Sequence, residues 1–121
     1  MADGGGYLTT HVLDTARGVP AAGLRIELFT LDGGSRALIG DFATNADGRT
    51  DEPVLPTDAF AVGEYELLFH AGSYIARSGA TLAEGVFLDT VPIRFTIADP
   101  GAHYHVPLLL SPYGYATYRG S

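Results

Sequence analysis

The chain has 121 residues, a formal net charge of −7, 46% apolar residues and 17% charged ones. That balance describes one compact domain with a core of its own rather than a disordered chain, and its acidity argues against a nucleic-acid partner, which needs a basic footprint to neutralise phosphates. With no cysteine in the sequence, disulfides and thiolate nucleophiles are excluded, and a metal would have to be held by His and carboxylates.

Met1 to Gly6 is short, polar and rich in glycine, without the apolar stretch of a signal peptide. It reads as a flexible N-terminal segment ahead of a single domain over residues 7–121. No apolar run approaches the ~20 residues of a membrane-spanning helix. The expectation is therefore a cytoplasmic protein with no membrane partner.

From Tyr7 on, the dominant period is two. Leu24, Ile26 and Leu28 alternate with Arg25 and Glu27; Tyr65, Leu67 and Phe69 alternate with Glu64, Glu66 and His70; Ile93, Phe95 and Ile97 alternate with Arg94 and Thr96. Each pattern predicts a strand with one face on a core. Strands are expected near 7–14, 24–31, 35–43, 49–54, 63–70, 91–97, 103–110 and 114–120. Turn chemistry separates them: Arg17-Gly18-Val19-Pro20, Asp32-Gly33-Gly34, Asn45-Ala46-Asp47-Gly48, Ala98-Asp99-Pro100-Gly101 and Ser111-Pro112-Tyr113-Gly114. Glu52 to Ala61, with two prolines, reads as a loop. A short helix is expected over 73–82, with Tyr74, Ile75, Ser78 and Leu82 sharing a face. Eight short strands at this spacing predict an all-β protein, an antiparallel β-sandwich. The strand at 103–110 is apolar on both faces, Val106, Leu108 and Leu110 on one and Pro107 and Leu109 on the other. The second sheet covers one face; a second subunit is the simplest cover for the other.

Candidate chemistry gathers at four places. His11 lies mid-strand on the face of Thr9 and Leu13, and His103 and His105 share one face of the seventh strand. Imidazole is the side chain best suited to moving a proton near neutral pH. Arg49 follows the turn ending at Gly48 and offers a planar fork of donors to an oxygen-rich planar ligand. The chain ends in Tyr118-Arg119-Gly120-Ser121, an aromatic, a guanidinium and a carboxylate where most termini carry small polar filler. His70, at the end of a strand, reads as a surface residue. Nucleophile elbows, phosphate loops and dinucleotide fingerprints are missing from the sequence. Direct attack by water promoted by His is therefore the natural enzymatic chemistry.

Three blocks carry a family resemblance: Leu8-Thr9-Thr10-His11-Val12-Leu13-Asp14 with Gly18-Val19-Pro20-Ala21, then Asn45-Ala46-Asp47-Gly48-Arg49, then everything from His103 to Ser121. On these the chain resembles the transthyretin-like family, in its 5-hydroxyisourate hydrolase branch. The resemblance implies two four-stranded sheets in a sandwich with one short helix, assembled as a homotetramer, a dimer of dimers. It implies a metal-independent, cofactor-free enzyme that opens the ring of 5-hydroxyisourate in urate breakdown. The family's catalytic set falls on His11, Arg49 and His105, and its substrate-binding residues on Tyr118, Arg119, Gly120 and Ser121. Ala116 stands where a small hydroxyl residue is common.

Three rival readings stay open on the sequence. A carrier in the same family would bind a small aromatic ligand without catalysis. A zinc hydrolase would use His11, His103 and His105 as ligands. A purely structural sandwich domain leaves the terminal block unexplained.

Overall fold

The computed structural model describes residues 5–80, 82 and 85–120. Eight strands lie among them: β1 (Tyr7–Asp14), β2 (Val19–Pro20), β3 (Arg25–Asp32), β4 (Ser35–Ala43), β5 (Gly63–Phe69), β6 (Val91–Ile97), β7 (His103–Ser111) and β8 (Gly114–Thr117). A helix, α1 (Ala71–Arg77), follows β5, and a single 3-10 turn spans Thr57–Ala59. The strands form two four-stranded sheets, in the orders β2-β1-β7-β8 and β4-β3-β5-β6.

The two-residue period decides which side chains meet between the sheets. Leu8, Val12, Leu108 and Leu110 come from the first sheet, and Ile26, Leu28, Leu67 and Phe69 from the second; all are buried. Each such side chain contributes ~1.5–3 kcal/mol of burial free energy. The opposite face of β1 and β7 is only half-buried and carries Tyr7, Thr9, His11, Leu13, His103, His105 and Leu109.

Local chemistry closes the hairpins as expected. Gly33-Gly34 forms a two-residue loop, with Asp32 paired to Ser35. Ser111 pairs with Gly114 across the β7–β8 turn. The sandwich is antiparallel with one exception: β1 runs parallel to β7 over all eight residues of β1. Hairpins force antiparallel pairing, but no hairpin joins these two strands, and the chain between them crosses the other sheet.

Three expectations are corrected. The stretch 49–54 is not a strand. It lies along β1 through isolated bridges, His11 with Arg49 and Leu8 with Leu55. Pro53 and Pro56 interrupt any regular ladder there. The eighth strand in its place is the two-residue β2, paired with the end of β1. Second, β8 stops at Thr117 instead of 120. Leu108 pairs with Thr117, so the next position faces Pro107, which has no N–H to offer. The Thr117 hydroxyl donates to the Pro107 carbonyl instead, at 2.7 Å. Third, the helix starts earlier and ends earlier than 73–82. Ser78 caps it with its hydroxyl on the Ile75 carbonyl at 2.8 Å, and Gly79, a poor helix former, follows. Tyr74 and Ile75 are buried as expected, whereas Thr81 lies outside the described residues. The Tyr74 hydroxyl donates to Asp14 Oδ2 at 2.7 Å and ties the helix to β1.

His70 is not a free surface residue either: its Nε2 stands 2.7 Å from Glu27 Oε1, at the head of α1. At the N-terminus, Gly6 is buried and its amide donates to the Pro100 carbonyl at 3.1 Å. Of the expected flexible segment, residues 1–6, the first four lie outside the described residues.

Candidate active site

The parallel register of β1 and β7 sets Tyr7 beside His103, Thr9 beside His105 and His11 beside Pro107, all on the outer face of the sheet. Thr9 Oγ1 therefore sits between two imidazoles, 2.6 Å from His103 Nε2 and 2.7 Å from His105 Nδ1. The His103 ring stacks on Tyr7, with centroids 4.0 Å apart and planes 9° apart. The two imidazole centroids are 6.0 Å apart.

The turn at Asn45 to Arg49 is held from within. Asn45 Oδ1 accepts the Asp47 and Arg49 amides at 2.9 and 3.2 Å, and the Asn45 carbonyl accepts the Gly48 amide at 2.9 Å. Gly48 adopts a φ of 77°, and a Cβ on it would run into the Val12 carbonyl, so only glycine lets the turn lie this close to β1. Two bonds seal that contact: the Val12 amide donates to the Gly48 carbonyl at 2.8 Å, and His11 Nε2 donates to the Asp47 carbonyl at 2.9 Å. A carbonyl accepts only, so His11 carries its proton on Nε2 and keeps Nδ1 for exchange. Arg49 bridges back to His11 and lines a cleft of about 360 Å³ together with Tyr7, Thr9, His103 and His105. Asp51 and Glu52 line the same cleft.

Burial pushes the His105 imidazole below its ordinary range, and the charges of Arg49, His103 and His11 push it the same way. Desolvation and a neighbouring cation both disfavour imidazolium. The site thus favours the neutral form of the His105 imidazole. Its Nδ1 is engaged by Thr9, and Nε2 has no partner among the described residues.

Of the terminal tetrapeptide, Gly120 reaches the site. Its amide donates to the His105 carbonyl at 2.7 Å, and its α-carbon packs against the imidazole so closely that a Cβ would stand 2.7 Å from Cδ2. Tyr118 and Arg119, expected beside it, go elsewhere. The Arg119 guanidinium lies 4.1 Å over the Tyr104 ring. With Tyr118 it lines a second groove, of about 390 Å³, between β6 and the end of the chain. The reason is register: where Gly120 stands opposite His105 on the outer face, the residue before it turns inward to the face of Tyr104. Ser121 lies outside the described residues.

The structure therefore brings His11, Arg49, His105 and Gly120 together from distant stretches. It adds Thr9 and Tyr7, to which the sequence reading assigned no role, and His103, which entered that reading as a ligand of the rival zinc site. The signal for Thr9 was its shared face with His11; what hid it was the unknown partner strand. Among the described residues, no group of three or more His, Asp or Glu side chains is placed to hold a metal ion.

A profile of the HIUase/Transthyretin family matches residues 8–120. The chain belongs to that family. It is 60% identical over 116 residues to 5-hydroxyisourate hydrolase 2 of Rhizobium meliloti (strain 1021), covering 96% of this chain and 97% of the relative. The solved structure of Klebsiella pneumoniae 5-hydroxyisourate hydrolase aligns with a TM-score of 0.76 at 32% identity, covering 96% of this chain and 94% of that one. Sea bream transthyretin in complex with thyroxine aligns with a TM-score of 0.83 at 26% identity, over 93% of each chain. Backbone similarity thus does not separate the hydrolase from the thyroxine-bound protein, while identity to the Rhizobium hydrolase, 60%, is far above the 26% to sea bream transthyretin. No helix among the described residues is long and apolar enough to cross a membrane.

Proposed function

We propose that the chain hydrolyses 5-hydroxyisourate to 2-oxo-4-hydroxy-4-carboxy-5-ureidoimidazoline, a ring opening in urate breakdown. Full-length identity of 60% to a 5-hydroxyisourate hydrolase supports the activity. The observation that carries the mechanism is the meeting of a neutral imidazole, His105, with the Arg49 cation in one cleft.

His105 Nε2 takes a proton from water as the water oxygen bonds to a ring carbonyl carbon. Arg49 holds the carbonyl oxygen as it becomes an oxyanion, which matters most in a partly desolvated site. The C–N bond then breaks, and the leaving nitrogen takes up the proton that water gave to His105 Nε2, handed on through His11 Nδ1, which accepts it and gives it away again. The Asp47 carbonyl keeps His11 oriented in both protonation states, because it accepts the Nε2 proton of imidazole and imidazolium alike. Gly120 walls the His105 ring. Tyr118, Arg119 and the Ser121 carboxylate close the substrate pocket in the assembled particle, a homotetramer built as a dimer of dimers. The outer face of β1 and β7, with Leu13 and Leu109 around the histidines, is the apolar surface such an assembly would cover. The reading keeps the cytoplasmic location and the absence of metal or other cofactor expected from the sequence.

The test is consumption of freshly generated 5-hydroxyisourate followed by ultraviolet absorbance. The wild-type protein is expected to accelerate it, and His105→Ala to lose about 10²-fold or more of that rate, the scale of a general base. Undiminished ring opening by His105→Ala rejects the assignment. The carrier reading rests on the fold shared with the thyroxine-bound sea bream protein. Thyroxine binding without acceleration of ring opening would favour it.

A further inference from the structure

The structure assigns a proton relay behind His105, in which the Thr9 hydroxyl sets the tautomer of His105 and passes its surplus proton to His103. The inference rests on the hydrolase reading for the direction of the chain and its kinetic consequence, and on Thr9, His103 and His105 for the two hydrogen bonds themselves.

The argument is a count of protons. A threonine hydroxyl has one hydrogen to give. Thr9 Oγ1 contacts two imidazole nitrogens and no third polar partner among the described residues. Were it to accept from both rings, its own hydrogen would be left without an acceptor in a part-buried position, which is costly. It therefore donates to one ring and accepts from the other. Donation to His103 Nε2 places the second bond as His105 Nδ1–H to Thr9. His105 is then the tautomer whose Nε2 carries a lone pair, as a base for water requires. The opposite arrangement would protonate Nε2 and silence it.

The same chain conducts. When Nε2 of His105 takes the proton of water, the ring holds two protons beside the Arg49 cation. Its Nδ1 proton passes to Thr9 Oγ1, and the Thr9 hydrogen passes to His103 Nε2. No atom is gained or lost. His105 returns to neutral, and the positive charge sits on His103. That ring is built to receive it, for it lies flat on Tyr7 at 4.0 Å, and a π face attracts a cation. Asp51 and Glu52 line the same cleft and attract the charge, while Arg49, also in its wall, repels it. Reversal of the two transfers resets the site. Thr9 and His103 are positioning residues in this scheme, since both act through His105.

Three variants test it: Thr9→Val, which keeps the shape and removes the hydroxyl; Thr9→Ser, which keeps the hydroxyl; and His103→Phe, which keeps a flat ring against Tyr7 and removes Nε2. Imidazole nitrogen NMR of the substrate-free protein is expected to show His105 as the Nδ1–H tautomer in wild type and Thr9→Ser, and as a mixture in Thr9→Val and His103→Phe. In the ring-opening assay, Thr9→Val and His103→Phe are each expected to lower kcat by at least about tenfold with KM little changed, as a misplaced tautomer does. Thr9→Ser restores most of the rate. The double variant is expected to be no slower than either single one, because both remove the same relay. A wild-type tautomer and rate in Thr9→Val, or losses that multiply in the double variant, would overturn the relay. If Thr9→Val does not fold, His103→Phe decides on the same two readouts. Failure of the hydrolase reading looks different: wild-type protein would leave 5-hydroxyisourate to decay unassisted, while the tautomer spectra still judge the relay.

Discussion

Replacing Gly120 by alanine tests whether the tail governs the base. A Cβ on this backbone stands 2.7 Å from His105 Cδ2, 3.4 Å from Cγ and 3.5 Å from Cβ. Carbon atoms sit comfortably at ~3.5–4.0 Å, so the ring edge must retreat by about 0.8 Å. The tail is tethered at that point, because the Gly120 amide donates to the His105 carbonyl at 2.7 Å. Gly120 is not among the glycines with positive φ, so alanine brings no backbone strain. His105 is half-buried and its ring has room to turn outward, which keeps the cost in stability near the lower end of the ~1–3 kcal/mol for overpacking. Catalysis is less forgiving: a reacting group misplaced by ~1 Å loses about 10²-fold. Gly120→Ala is therefore expected to lose about 10²-fold in kcat for 5-hydroxyisourate while its urea unfolding free energy falls by less than about 1.5 kcal/mol. A folded Gly120→Ala protein with wild-type kcat would refute the reasoning, since the tail would not then be holding the base.

Arg49→Gln removes a cation that depresses His105, so the His105 titration followed by NMR is expected to move up toward the ordinary imidazole value of ~6.5. Burial, the larger cause, remains and keeps it below that value. The sign carries over to stability. Folding depresses this imidazole, so as pH falls through ~6.5 the unfolded chain takes up the proton first. His105 therefore takes stability away progressively from there down to its folded pKa, the full cost remains below it, and Arg49→Gln is expected to lessen that cost in acid-unfolding curves. The acid limb of kcat/KM in wild type is expected below ~6.5 for the same reason. Deleting residues 118–121 is expected to abolish ring opening, with far-ultraviolet circular dichroism unchanged, because regular pairing ends at Thr117. Tyr74→Phe strips Asp14 Oδ2 of a bond inside the protein and is expected to cost about 1–2 kcal/mol in denaturant unfolding, with no change in kcat.

Much of the site was legible as chemistry before it was legible as geometry. Alternation put His11 on the outer face of its strand and His103 with His105 on the outer face of theirs, and the burial pattern agrees. The Asn45 to Gly48 turn was readable because its residue types specify it. The route of the chain after it was not. Arg49 to Val54 was expected to form a strand, but its backbone lies against β1 through single bridges, and the partner of a short polar segment is set by what is nearby. Arg119 leaves the face of His105 because Gly120 occupies it, and alternation turns the residue before Gly120 toward Tyr104.

The sequence by itself determined the faces: a two-residue period is a local property, and each strand announces which side chains leave the core whatever lies beside it. It also determined the repertoire of the site, two imidazole strands, a guanidinium after a tight turn and a glycine near the end. The tertiary structure decided the pairing. Thr9 and His105 are 96 positions apart, and they meet because β1 and β7 lie parallel in one sheet with Thr9 opposite His105. Sliding β7 by a single residue would turn both histidines into the core. That register is chosen by the packing of the whole sandwich, where burying Leu8 and Val12 against their counterparts in the second sheet leaves one alignment, and no stretch of chain contains it alone.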